Sequence, residues 1–340
     1  MHPTSANLRA RAGIITGGLL LACVGSVLFA GMTGSVSIPL ADIPGALDEL
    51  LHHRADSLAA TLLDLRATRA LTAFVTGAAL SLAGVMMQAL LRNPLADPYV
   101  LGISAGSAVG ALAAMVAACA AWAVDAAAFA GAVAISMLLY LLARRDLKSG
   151  SAAEGGTALL LLTGVILSSA GSALVTLMLS IASENQLRGM VFWLIGDLSG
   201  APLRALPWVV LASGLLFALR SARAMNVLAQ HAEAAATLGI NVGVLRKGLF
   251  FISGLLTASA VTTAGSIGFV GLIVPHACRF AFGPDHRVLI PAATLAGGAY
   301  LVLTDTLART IIAPQQLPVG VITALIGTPV FLYQLHRLRK

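Results

Sequence analysis

Apolar positions in this chain come in unbroken runs. They show neither the alternation of a half-buried strand nor the one-sided stripe of a soluble helix. Runs approaching the roughly 20 residues that span a bilayer as a helix recur ten times. They lie at about residues 13–33, 69–91, 103–120, 125–143, 157–181, 202–219, 248–264, 271–282, 288–307 and 319–335. The eighth run is short, led in by the glycine-punctuated stretch Gly265 to Gly271. Polar residues gather between the runs. Residues 34–68 hold Asp42, Asp48, Glu49, His52, His53, Arg54, Asp56 and Asp64, with a short surface helix expected from Pro39 or Pro44. Asp125 marks an expected tight turn, and Gly283 to Arg287 another. Gln186 to Leu198 is amphipathic and too short to span, which predicts an interfacial helix. Arg220 to Lys247 is the longest charge-bearing internal segment, expected as two short alanine-rich helices broken at Gly239.

This pattern predicts an all-α polytopic membrane protein of about ten transmembrane helices, forming one domain over residues 1–340. Composition agrees: 58% of residues are hydrophobic and 10% charged, against about 25% charged in soluble domains. Mean hydropathy is +0.92. The net charge of +7 does not point to nucleic acid, because the basic residues stand singly or in pairs at the ends of apolar runs. With an even number of spans both termini share a side. Placing them inside puts fifteen Lys and Arg on the inner loops and six on the outer ones, which the positive-inside rule favours. The expected location is the bacterial inner membrane, multi-pass, with cytoplasmic termini.

Cys23, Cys119 and Cys278 fall in separate apolar runs, so the expectation is three buried thiols with no metal or redox spacing. Arg9, Arg11 and Leu20-Leu21-Ala22-Cys23 resemble a lipoprotein signal. The run nevertheless continues to Ala30, which predicts an uncleaved first span. No Gly-rich lysine loop for ATP is present, and no set of residues points to a metal site or a nucleophile–base pair. His276 lies within a span, where a lone histidine beside Pro275 reads as a packing group. No acid lies in the middle of a run except Asp305, near an outer end. A proton- or sodium-driven carrier ordinarily keeps a buried coupling carboxylate, so the energy source is expected in another subunit.

One polar stretch organises the rest: Arg92-Asn93-Pro94-Leu95-Ala96-Asp97-Pro98, closed by Leu101-Gly102. Its prolines stop the preceding helix, and Asn93 and Asp97 can cap the turn and the next helix start. Together with Gly84 to Gln88 before it, this stretch resembles the signature of the FecCD-type permeases, the membrane subunits of ABC importers for cobalamin, ferric siderophores and haem. Gly268 to Arg279 (GFVGLIVPHACR), Asp285-His286-Arg287 and Leu317 to Phe331 (LPVGVITALIGTPVF) carry the same resemblance. It covers roughly residues 60–335; the first 60 residues match only in general character. A weak echo between Arg92–Gly102 and Gly283–Gly297 is explained equally by duplication or by recurring turn chemistry.

The resemblance implies a type II importer permease fold and a homodimer. It further implies two cytoplasmic ATPase subunits, which bind the ATP and magnesium, and a periplasmic substrate-binding protein; this chain itself would hold no cofactor, no metal and no catalytic site. It implies coupling helices at about 223–241, with Asn226, Leu228, His231, Glu233, Thr237, Leu238, Gly239 and Ile240 facing the ATPase, where the alternative is a solvated loop. It implies that Arg66, Arg69 and Arg309 dock the binding protein, Arg–carboxylate pairs being suited to fixed orientation; the alternative is headgroup anchoring. Many relatives carry a proline where Ala67-Thr68 stand here. It implies a substrate path on the dimer axis, lined by span five, the short helix after it and span ten, with Thr163, Ser168, Ser169, Ser172 and Thr176, and with Phe192 and Trp193 as alternatives; small residues there could equally be packing contacts. A cytoplasmic gate is expected near Lys148 to Thr157. Overall likeness ranks haem first as substrate, then ferric siderophore, then cobalamin. The rival classes are a proton-coupled secondary carrier and a membrane scaffold or receptor.

Overall fold

The computed structural model describes residues 5–52, 54–148, 154–230 and 237–338. Among them are twelve α-helices and no strand. They are α1 (Ser5–Met32), α2 (Ile43–Leu51), α3 (Leu58–Leu90), α4 (Ile103–Val116), α5 (Ala121–Lys148), α6 (Glu154–Ile181), α7 (Glu184–Ile195), α8 (Ala205–Gln230), α9 (Val242–Ala264), α10 (Val270–Phe282), α11 (His286–Thr310) and α12 (Val319–Leu338). Seven of these are long and apolar enough to cross a membrane, and α4, α10 and Val319–Tyr333 of α12 are shorter apolar helices. The ten expected spans are therefore seven of full length and three short ones. Helices α2 and α7 are the two non-spanning elements that the polar stretches predicted.

Helix α3 forms the centre. From Ala70 onward nearly every residue is buried, because its small residues let other helices come close. A methyl group added at Gly84 would overlap the Gly271 carbonyl at the start of α10, and one at Gly77 would overlap the Gly297 carbonyl in α11. Helix α1 packs on this centre and α5 and α6 lie further out, and all three leave apolar side chains such as Leu21, Leu142 and Ile166 exposed.

Several boundaries differ from the sequence reading. Helix α3 begins at Leu58, not near residue 69, because the Ser57 hydroxyl accepts the Ala60 N–H at 3.1 Å and starts it earlier. At 33 residues it is about 50 Å long, so its first turns, with Asp64, Arg66 and Arg69, extend past the roughly 30 Å apolar layer. Helix α8 runs to Gln230, since Ala222, Met225 and Leu228 keep a buried face beyond Leu219. Asp125 lies in the second turn of α5, where it pairs with Arg204; the turn itself is at residues 117–120, with Ala118 at φ 52. Cys119 sits in that turn and is exposed, whereas Cys23 and Cys278 are buried as expected.

Helix α1 continues through Cys23, whose Sγ donates to the Leu295 carbonyl of α11 at 3.3 Å. Arg92 closes α3 at φ 48. Asn93 Oδ1 accepts the Leu95 N–H at 2.9 Å, and Asp97 Oδ1 the Tyr99 N–H at 2.7 Å. Asp97 thus caps a short 3-10 turn (Pro98–Leu101) rather than α4, which starts from Gly102 at φ 82. Only glycine adopts that backbone without strain. Burial raises the Asp97 carboxyl to about 6, with the Tyr99 N–H acting in the opposite sense.

Candidate functional site

Contacts between helix ends define two faces. One carries the α3–α4 elbow, the end of α8 and the start of α11. The other carries the end of α1, the start of α3, the 196–204 loop and the end of α11.

On the first face, Asn226 near the end of α8 acts as a clamp. Its Nδ2 donates to Asp285 Oδ1 at 2.8 Å, and its Oδ1 accepts the His286 backbone N–H at 2.8 Å and the ring Nδ1–H at 2.7 Å. Asp285 also accepts from the Arg287 guanidinium, at 2.6 Å to Nη2. The Arg287 side chain foremost, and also the Asn226 amide, hold the Asp285 carboxyl well below the usual carboxylate range. Asp285 Oδ1 further takes the Arg287 N–H at 3.0 Å, the same local turn that Asp97 makes with Tyr99. The two stretches of the echo thus share the same turn chemistry.

The residues expected to face the ATPase divide accordingly. Leu228 is fully buried and belongs to the core, which corrects the expectation that it faces a partner; the helix turns it inward. Asn226 is spent on the clamp. Thr237, Leu238 and Gly239 are exposed, Leu238 at 69%, and Ile240 packs against the core. Gly239 breaks the segment at φ 78, as its sequence predicts. His231 and Glu233 lie outside the described residues, as do residues 149–153 of the gate segment Lys148 to Thr157.

On the second face two of the three arginines, Arg69 and Arg309, converge on one acid, Asp305. Arg69 donates to Asp305 through Nε at 3.0 Å and Nη2 at 2.8 Å, and Arg309 Nε stands 3.2 Å from Asp305 Oδ2. Arg69 Nη1 also donates to Gln316 at 2.9 Å and Ser199 at 3.2 Å. Arg66 donates to the carbonyls of Met32 (3.2 Å), the last residue of α1, and of Val36 in the loop beyond it. Arg66 and Arg309 are only 6% and 5% exposed. This corrects their placement on an open surface: free helix-end carbonyls and a buried carboxylate engage them before any partner can. All three line a recess of about 360 Å³ with Gln316 and Pro202. Asp305 and Gln316 went unnoticed as arginine ligands, though the lone acid in an apolar run was a visible signal.

The proposed path residues also separate. On α6, Ser169, Ser172 and Thr176 are exposed, while Thr163 and Ser168 are half-buried. Thr163, Ser168, Ser169 and Thr176 each donate back to the carbonyl four residues earlier, at 2.8 to 3.0 Å. Such back-bonded hydroxyls can sit in an apolar environment without an orphan donor. Ser168 lies against the elbow at Gly102. Phe192 and Trp193 instead line a cavity of about 570 Å³ beneath α7, closed by the 197–204 loop and the end of α9. Four charged side chains border it: Asp125 and Arg204, paired at 2.6 Å; Asp197, which accepts from Ser199; and Arg188. No group of three metal-ligating side chains occurs among the described residues.

Comparison with known proteins adds the following. Residues 19–337 match the FecCD transport family. The chain is 44% identical over 277 residues to the cobalamin import system permease protein BtuC of Halobacterium salinarum, covering 80% of this chain and 72% of the relative. It is 39% identical over 289 residues to the hemin transport system permease protein HmuU of Yersinia pestis, covering 82% and 84%. The vitamin B12 import system permease protein BtuC of Escherichia coli is 38% identical over 281 residues, covering 81% and 83%. A solved structure described as an inward-facing conformation of a metal-chelate type ABC transporter superposes with a TM-score of 0.80 at 30% identity, covering 96% of this chain and 99% of that one.

Proposed function

The chain belongs to the FecCD transport family, and from that premise we propose that it is the permease subunit of an ABC importer for a metal chelate. The match over nearly the whole chain carries this reading. In it the face bearing the elbow and Leu238 is cytoplasmic, and the arginine face is periplasmic. Two such chains form the membrane unit, with two ATPase subunits on one side and a substrate-binding protein on the other. ATP hydrolysis belongs to the ATPase subunits, and this chain does no covalent chemistry. Haem is placed first as substrate, with ferric siderophore and cobalamin as the alternatives.

The clamp at Asn226 supports the reading. It fastens the end of α8, the helix that precedes the 237–240 segment in the chain, to the first residue of α11, and α11 ends at Asp305 and Arg309 on the far face. A push passed to α8 therefore meets a helix that crosses the molecule. The only acid in the interior of α11 is already neutralised by two guanidiniums, which favours an external energy source over proton coupling. Replacing exposed Leu238 by Asp puts a charge where a partner surface would close. The expected result is at least a tenfold loss of ATPase capture in a pull-down with an unchanged melting temperature. Undiminished capture would remove this segment from the coupling surface.

A further inference from the structure

The cavity beneath α7 is bordered by two cations, Arg204 and Arg188, of which one meets no carboxylate among the described residues. Arg204 is paired with Asp125 at 2.6 Å, and Asp197 is held by the Ser199 N–H and hydroxyl at 3.0 and 2.9 Å. Arg188 meets no carboxylate among the described residues; its guanidinium stands 5.5 Å over the Phe192 ring. Asn185, one turn earlier on the same side of α7, also has no side-chain partner among them, and the buried Thr262 hydroxyl opposite is unsatisfied. Phe192 and Trp193 supply aromatic walls. A cavity of about 570 Å³ lies within the roughly 300–1,000 Å³ range of small-molecule sites, which combine apolar walls with a few convergent polar groups.

We propose that this cavity binds the carboxylate-bearing edge of a planar metal chelate, with Arg188 as the carboxylate partner and Phe192 and Trp193 as the stacking wall. A guanidinium fork matches a carboxylate in two parallel hydrogen bonds, and aromatic faces favour a flat apolar ligand. Both acids bordering the cavity are already engaged, Asp125 by Arg204 and Asp197 by Ser199, so the charge left for a ligand is the cation of Arg188, which pairs with an ionised carboxylate. The site thereby prefers chelates with ionised carboxylates over neutral, amide-bearing ones. This inference rests on the importer reading and narrows its substrate class.

The test uses the full chain in lipid nanodiscs, titrated with haemin and with haemin dimethyl ester, and lipid-only discs as reference. Wild type is expected to bind haemin above the reference, and Arg188→Gln to weaken it about tenfold. The ester is expected to bind weakly and equally to both, and Arg188→Lys to give an intermediate loss. Arg188 is exposed and its substitution leaves the core intact, so a melting curve confirms folding. Equal haemin affinity in wild type and Arg188→Gln, ester binding as tight as the acid, or no binding above the reference each overturns the proposal. ATP-driven uptake in reconstituted vesicles is scored separately. If it persists while Arg188 proves irrelevant, the importer reading stands and this site falls; Arg188-dependent binding without ATP-driven uptake gives the reverse.

Discussion

Asp97 shows how one side chain can oppose the fold it helps to build. Its Oδ1 caps the turn between α3 and α4, yet burial raises its carboxyl to about 6, from about 3.9 in an unfolded chain. A carboxylate raised on folding adds stability that is complete below the unfolded value and is lost as pH rises through the folded one. Between about pH 4 and pH 6 it should therefore cost wild type on the order of 2–3 kcal/mol. Asp97→Asn keeps an acceptor for the Tyr99 N–H and removes the charge. The expected outcome is a variant whose melting temperature falls less between pH 5 and pH 7; an unchanged pH dependence would contradict the assignment. The sequence announced Asp97 as a turn cap but not its burial, which depends on how α10 packs under the elbow. Arg66 and Arg309 show the same limit. Their identity and their place at span ends were legible, but whether a guanidinium faces water or the carbonyls of α1 is decided by packing between segments far apart in the chain.

Helix α3 sets the scale of the element. Its small residues marked it as a buried helix in the sequence, and the structure assigns partners: Gly84 to α10 and Gly77 to α11. Because backbone lies where a side chain at Gly84 would go, relaxation requires α10 to move away. Gly84→Ala is expected to lower stability by about 2–4 kcal/mol, read as a lower melting temperature and folded yield in detergent. Gly18→Ala in α1, with open space around Gly18, should be neutral. Equal behaviour of the two variants would show that α3 tolerates a looser fit. The boundaries of α3 and α8 were less legible than their cores. Charged residues on the projecting turns break the apolar run that defines a span, while Ser57 and the buried Met225 and Leu228 extend the helices all the same.

At the scale of the whole molecule, the apolar runs and the glycine- and proline-marked elbow were enough to read an all-helical permease, and the family match agrees. The substrate was not legible there. Relatives named for cobalamin and for hemin stand at comparable identity, and the side chains that line a cavity, such as Arg188, which meets no carboxylate among the described residues, come together only in three dimensions. Assembly was legible only through the resemblance, because exposed apolar faces on α6 and α12 look alike whether lipid or a second copy covers them. The importer reading itself turns on the energy source. Its most direct test is chelate uptake into proteoliposomes holding this chain, its ATPase and its binding protein, energised either by ATP or by a pH gradient alone. The account predicts haemin accumulation with ATP, abolished by a hydrolysis-deficient ATPase and absent with the gradient. Full uptake driven by the gradient without ATPase would contradict it.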